Sequence, residues 1–207
     1  MPKPDLYARS VFINCPFSSD YQPIFRAILF AVYACSYRPR CALEVSDSSE
    51  NRLGKIEDII RESKFGIHDI SFMNVDAATK LPRFNMSFEL GLFLAAKKFG
   101  AGRQKRKIAL ILDQSGYRYR SALSDISGQD ISFHEADPRR AIREVRDWLD
   151  TCQGGAYSLP GGEHIADQYQ KFCDHLPKAS AGIPLNPDQL TYADICRAIE
   201  AWLKDNA

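Results

Sequence analysis

Charge imbalance is the first thing this chain lacks: 27 Lys and Arg face 26 Asp and Glu over 207 residues. No global field therefore draws it toward nucleic acid or anionic lipid, and any such binding has to be local. Long apolar runs are missing as well. The longest, from Ile24 to Cys35, is broken by Arg26 and falls short of the roughly 20 residues that a spanning helix requires. The expectation is no membrane partner. The opening Met-Pro-Lys-Pro-Asp leads toward a strand without the apolar segment and small-residue cleavage site of a secretory signal. The expected address is cytoplasmic.

Metal and redox spacings are absent too. Cys15, Cys35, Cys41, Cys152, Cys173 and Cys196 form no CxxC pair; several lie in stretches that read as core, where a free thiol acts as a small hydrophobe. They are read as reduced thiols. His68, His134, His164 and His175 form no HExxH or other zinc-like spacing, so no metal is expected. Neither a P-loop glycine-lysine motif nor GxGxxG nor GxSxG occurs. A P-loop NTPase, an ordinary dinucleotide dehydrogenase and a nucleophile-elbow hydrolase thus lack support.

What the chain does have is 45% hydrophobic residues, enough to bury a substantial core, arranged in alternating patterns. Strands are predicted near Ser10 to Cys15, Arg40 to Val45, Phe65 to Ser71, Lys107 to Asp113 and Asp130 to His134. Helices are predicted between them, over Asp20 to Ser36 and Arg52 to Ser63, through Glu89, and over Pro138 to Thr151. Such β/α alternation specifies an α/β fold: a doubly wound, mostly parallel five-stranded sheet, with helices on both faces because right-handed crossovers join parallel neighbours. Ser19-x-x-Gln22 reads as a capping box, with Pro23 tolerated in the first turn, and Thr191-x-x-Asp194 reads as another.

Past Thr151 a turn-rich connector, Gln153 to Gly162, leads to helices around Glu163 to Leu176 and Tyr192 to Lys204. Residues 1–152 are expected to form the α/β domain and 153–207 a C-terminal helical extension. The apolar stripes Ile165, Tyr169, Phe172, Cys173 and Leu176, and Ile195, Ile199, Trp202 and Leu203, must bury against the sheet domain or a second subunit.

Glu89 is the leading candidate for chemistry. It lies on one helical stripe with Asn85, Leu92, Phe93 and Ala96, an acid flanked by apolar side chains. The helix follows the third strand, and in a parallel sheet the strand ends and the following helix starts form the ligand-binding edge. The plainer explanation is an acid stabilised by the helix dipole, worth about 0.3–1 kcal/mol.

If the strand order is 2-1-3-4-5, the loop after the first strand brings Asn14, Pro16, Phe17 and Ser18 beside Glu89, although Pro, Ser and Asp there also serve an ordinary turn and cap. The polar segment Ser46 to Gly54 lies at the same edge and offers Arg52 to a phosphate, or is a solvated loop. Asp69, in a buried strand, is part of the site or a hydrogen-bonding strut. The basic run Lys97, Lys98, Arg103, Lys105, Arg106 and Lys107 joins a helix end to a strand start, at the opposite edge, so nucleic acid is not an expected partner.

The segment Gly54-Lys-Ile56-Glu-Asp-Ile59-Ile60-Arg-Glu-Ser63 with Ile67-His-Asp-Ile70-Ser71, together with Val11-Phe12-Ile13-Asn14 and Asp20, resembles the helix-plus-strand pattern of Toll/interleukin receptor (TIR) domains. Phe88-Glu89-Leu90-Gly91-Leu92 is similar to the Glu-Leu-Gly segment of nucleoside 2-deoxyribosyltransferases. The resemblance covers residues 10–150 and includes stand-alone bacterial members. It departs in the segment Phe72 to Phe84, longer than the usual Toll-like connector, and in lacking the Trp-Cys pair that commonly precedes the acid.

The resemblance implies a flavodoxin-like architecture and, because a Glu in the corresponding helix of enzymatic Toll-like domains cleaves NAD, a nucleotide N-glycosidase using Glu89. Substrate contacts are expected from Asn14, Pro16, Phe17, Ser18, Arg52 and Asn85. NAD enters as a substrate, with no separate cofactor, and the partner is a nucleotide or NAD-like small molecule. A neutral nucleoside would require a second carboxyl to protonate the leaving base, for which Asp69 is the candidate, as in a deoxyribosyltransferase. The alternative from another class is a non-catalytic nucleotide-sensing or protein-interaction module. A second copy of the chain or a signalling partner is expected in either case.

Overall fold

Five consecutive buried residues, Ser10–Asn14, form strand β1 in a computed structural model that describes residues 5–45, 47–72, 84–116, 118–155, 158–180 and 189–206. β2 (Arg38–Arg40), β3 (Phe65–Asp69), β4 (Ile108–Asp113) and β5 (Ile131–Phe133) complete one sheet in the order β2-β1-β3-β4-β5. Every neighbouring pair is parallel. β1 and β3 show no alternation of buried and exposed positions, as expected of strands covered on both faces. The doubly wound sheet expected from the β/α alternation is the fold observed.

Among the described residues, helices α1 (Leu6–Arg9), α2 (Gln22–Ala34), α3 (Arg52–Glu62), α4 (Asn85–Phe99), α5 (Pro138–Cys152), α6 (Gly162–Ser180) and α7 (Tyr192–Asp205) surround the sheet. Val11 and Ile13 of β1 enter a core shared with α2 and α5, whereas Phe12 between them packs with Ile56, Ile59 and Ile60 of α3 and Phe93 of α4. The two-residue period of the strand thus assigns the helices to opposite faces.

Two local expectations are corrected. β2 occupies Arg38–Arg40, not residues 40–45. The stretch after it closes a turn: the Arg40 guanidinium holds Glu44 at 2.7 and 2.8 Å, and the Glu44 carboxylate accepts from the Cys41 amide at 3.1 Å. Pro39 is tolerated because β2 is an edge strand, and its carbonyl accepts from the Tyr192 hydroxyl at 3.2 Å. Ser19 and Gln22 do not form a capping box. A single 3-10 turn over Ser19–Tyr21 precedes α2, whose first residue follows Tyr21, and this turn drives the Tyr21 ring into the interior. The box at Thr191 and Asp194 is present as expected.

α2 is the middle layer of one half of the molecule. Ile24, Phe25 and the six residues from Ala27 to Val32 are all buried, more than one amphipathic face can supply. The sheet covers one side, while α6 and α7 cover the other: the Phe30 ring centroid lies 5.5 Å from both Tyr169 and Phe172. The C-terminal stripes therefore bury within the same chain, sharing one core with β1, β3 and β4, and not against a second subunit. No helix among the described residues is long and apolar enough to cross a membrane.

Removing residues 153–207 should strip the outer side of α2 and abolish cooperative thermal unfolding; a truncated chain melting like the full one would contradict this packing. Ile199→Ala, at a fully buried position, should cost about 2–5 kcal/mol in urea denaturation.

Candidate functional site

β1 and β3 lie side by side and end at the same edge, but β1 continues toward α2 on one face and β3 toward α4 on the other. In doubly wound sheets ligands bind where neighbouring strands diverge in this way. Asn14, the last residue of β1, bridges the two strands: its Nδ2 contacts His68 Nδ1 at 3.1 Å and donates to the Met86 carbonyl in the first turn of α4 at 2.8 Å. With Nδ1 of His68 accepting, the ring proton sits on Nε2. His68 is fully buried, and burial, with the Lys107 charge, lowers its pKa to about 3, so the ring is neutral. It packs against Phe93 with ring centroids 4.9 Å apart. A Cβ on Gly66 would stand 2.6 Å from His68 Nε2 and 2.8 Å from the Phe93 ring, so only glycine leaves room for both.

Asp69, at the end of β3, is fully buried and accepts two hydrogen bonds, from Tyr21 Oη at 2.5 Å and from the Ser71 amide at 2.8 Å, while His134 Nε2 lies 3.0 Å from its Oδ2. His134 reaches it because Glu135 and Ala136 adopt left-handed backbone, with φ of 52° and 57°, which returns the Ala136 amide to His134 Nδ1 at 3.1 Å. That bond leaves the imidazole proton on Nε2. Ser71 Oγ lies 3.0 Å from the same Nε2. A Ser-His-Asp relay needs hydroxyl and carboxylate on opposite ring nitrogens, so this cluster is no nucleophile triad. The geometry matches the strut reading of Asp69, tying β3 to the start of α2 and to the segment after β5.

Glu89 is different. It is the fifth residue of α4, beyond the first turn where the helix dipole acts, so the simple dipole explanation weakens. It is only 7% exposed and makes no hydrogen bond or ion pair among the described residues. Burial raises its carboxyl pKa, partly offset by the Arg52 guanidinium. Its charge also reaches the buried Cys15 thiol, whose pKa is raised by burial first and then by Asp69, Cys41 and Glu89. Glu89 therefore belongs to the edge formed by the end of β1.

The other predicted contacts divide. Arg52 is exposed at the start of α3, behind the cap in which Asn51 accepts from the Leu53 amide at 2.8 Å. Pro16 is buried and Phe17 half-buried, its ring 5.3 Å from Phe25; Ser18 Oγ is occluded without a hydrogen-bond partner. Asn85 is exposed at the first position of α4. Asn14 is buried, with its Nδ2 engaged internally, so only its carbonyl oxygen remains for a ligand. Asp47 is taken up in a local turn with Ser49. Ser46 and most of the Phe72 to Phe84 connector lie outside the described residues.

Tyr21, Ser71 and His134 were not legible as site neighbours. Their partners lie 48 and 63 residues away in sequence, and no local pattern marks such pairings. Among the described residues, no group of three or more His, Cys, Asp and Glu side chains is arranged to hold a metal ion.

Fold and site together define a doubly wound, flavodoxin-like α/β protein in which Glu89, on the helix that follows β3, is largely buried with no hydrogen-bond or ion-pair partner among the described residues. Comparison with family models, curated proteins and solved structures returned no match.

Two substitutions separate the carboxylates. A raised folded pKa means that the ionised Glu89 opposes folding, so Glu89→Gln should raise the melting temperature at neutral pH. That gain should vanish as the pH falls below the ordinary glutamate pKa, where both states of the wild type are protonated. A lower melting temperature for Glu89→Gln at pH 7 would assign Glu89 a structural role. Asp69→Asn, which disturbs a satisfied acceptor, should instead cost about 1–3 kcal/mol in chemical denaturation at pH 7.

Proposed function

We propose that the protein is a nucleotide N-glycosidase that cleaves the nicotinamide–ribose bond of NAD or a related nucleotide, with Glu89 as the acting carboxylate. The observation that supports this most directly is a largely buried carboxylate with no hydrogen-bond or ion-pair partner among the described residues, on the helix that follows β3, where parallel α/β sheets bind ligands. Holding an ion largely out of water without a partner is costly. A cationic ligand or a transition state that develops positive charge would offset that cost.

Nicotinamide departs from a cationic ring, so it takes the C1′–N electron pair without needing a proton. The ribose C1′ becomes oxocarbenium-like, and Glu89 either stabilises that charge or forms a transient bond to C1′. Water then adds at C1′ and loses a proton to solvent. In a weakly screened setting the Glu89 charge acts more strongly than in bulk water. Arg52, exposed and close enough to influence Glu89, suits a phosphate, while Asn85, Phe17 and Ser18 are the remaining candidate contacts. The two hydrogen bonds that Asp69 accepts, from Tyr21 and the Ser71 amide, favour a cationic leaving group over a neutral nucleoside, because the second acid that a nucleoside would require is already engaged.

Incubation with NAD, NADP and a nucleoside panel, followed by chromatography for free base, tests the reading. Nicotinamide release is expected, with Glu89→Gln lowering it by at least about 100-fold. The rising limb of the pH–rate profile should lie above the ordinary glutamate range, because burial raises the Glu89 pKa. If no base is released even from crowded protein, and wild type and Glu89→Gln bind nucleotide equally well, the non-catalytic module replaces this proposal.

A further inference from the structure

Residues 97–107 contain six Lys or Arg and no acid, in a chain whose net charge is only +1. One of the six turns inward: Lys107 is buried and donates from Nζ to the Ile60 and Ser63 carbonyls at the end of α3. The other five, Lys97, Lys98, Arg103, Lys105 and Arg106, are exposed. Lys97, Lys98, Lys105 and Arg106 make no ion pair among the described residues, and Arg103 lies 4.6 Å over the Tyr7 ring. Asp5, the acid that influences Tyr7 together with Arg103 and Arg106, is occupied in capping α1.

The backbone that carries these charges is held from behind. Tyr7 Oη donates to the Arg103 carbonyl at 2.6 Å and Gln104 Nε2 to the Arg61 carbonyl at 2.9 Å. The turn depends on two glycines: a Cβ on Gly100 would stand 2.3 Å from the Ala96 carbonyl oxygen, and Gly102 has a φ of 56°. Phe99, the last residue of α4, is 84% exposed and projects into solvent.

We propose that this corner is a peripheral docking surface for an anionic lipid bilayer, with Phe99 entering the headgroup region and Lys97, Lys98, Lys105 and Arg106 meeting lipid phosphates and carboxylates. A fixed cluster of unpaired cations complements a negatively charged leaflet, and an aromatic among lysines can enter the interface while the ammonium groups stay wet. A single strand of nucleic acid is usually held by several aromatic side chains on which successive bases stack, whereas Phe99 is the single aromatic in residues 97–107. The corner lies at the strand-start edge, since Lys107 immediately precedes β4, and all strands are parallel. Docking there leaves the Glu89 edge open, and the proposal does not depend on the glycosidase reading.

The full chain should co-sediment with vesicles of phosphatidylcholine containing phosphatidylserine and not with phosphatidylcholine alone, and high salt should release it. Lys105→Glu combined with Arg106→Glu should weaken binding at least about tenfold with an unchanged melting temperature. Phe99→Ser should weaken it severalfold while preserving the salt dependence. The proposal is overturned by equal binding to both vesicle types or none at low salt, by binding retained in the charge-reversed variant, or by tighter, salt-sensitive capture of a single-stranded oligonucleotide. Salt-sensitive self-association lost in that variant, without vesicle binding, would identify a second copy as the partner and also overturns it.

Discussion

The Nδ2 group of Asn14 links the diverging ends of β1 and β3. Bonded to His68 and to the Met86 carbonyl, it ties the end of β1 to the penultimate residue of β3 and to the first turn of α4, one turn from Glu89. The position of that helix start relative to the sheet depends on the link. It holds only because His68 is neutral, which follows from burial, and because Gly66 clears space for the ring. Asp69 fastens a second corner through Tyr21 and His134. Beside Asp69, which accepts from Tyr21 and the Ser71 amide, Glu89 stands out as a largely buried carboxylate with no hydrogen-bond or ion-pair partner among the described residues.

Burial alone does not make a functional acid. Asp69 is more deeply buried than Glu89, yet Tyr21 and the Ser71 amide donate to it and give it a structural use. Hydrogen-bond donors stabilise an ionised carboxylate, whereas a carboxylate buried without them makes its own ionisation costly and its protonation easier. The contrast between two acids at one sheet edge carries more information than the burial of either.

The outer layer follows from α2. A helix apolar on nearly every side needs cover on every side, and α6 and α7 provide it. Cations collect away from that packed half, on a turn whose backbone is fastened by Tyr7 and Gln104. The near balance of charge over the chain therefore conceals a local separation of charge.

Periodicity determined much of the architecture before any contact was visible. The strand-like runs at Ser10 to Cys15 and Phe65 to Ser71, alternating with helical stripes, specify buried parallel strands and a doubly wound sheet. The isolated position of Glu89 among apolar neighbours was equally legible. The register of β2 was not, because the apolar Cys-Ala-Leu segment looks like a strand until the Arg40–Glu44 pair closes it into a turn. Tertiary structure alone decided that Asp69 is held by Tyr21 and His134 and that the C-terminal helices cover α2. The physical reason is range: hydropathy period and capping are local properties of the chain, whereas these bonds and contacts arise only when residues far apart in sequence are brought together by the shared core.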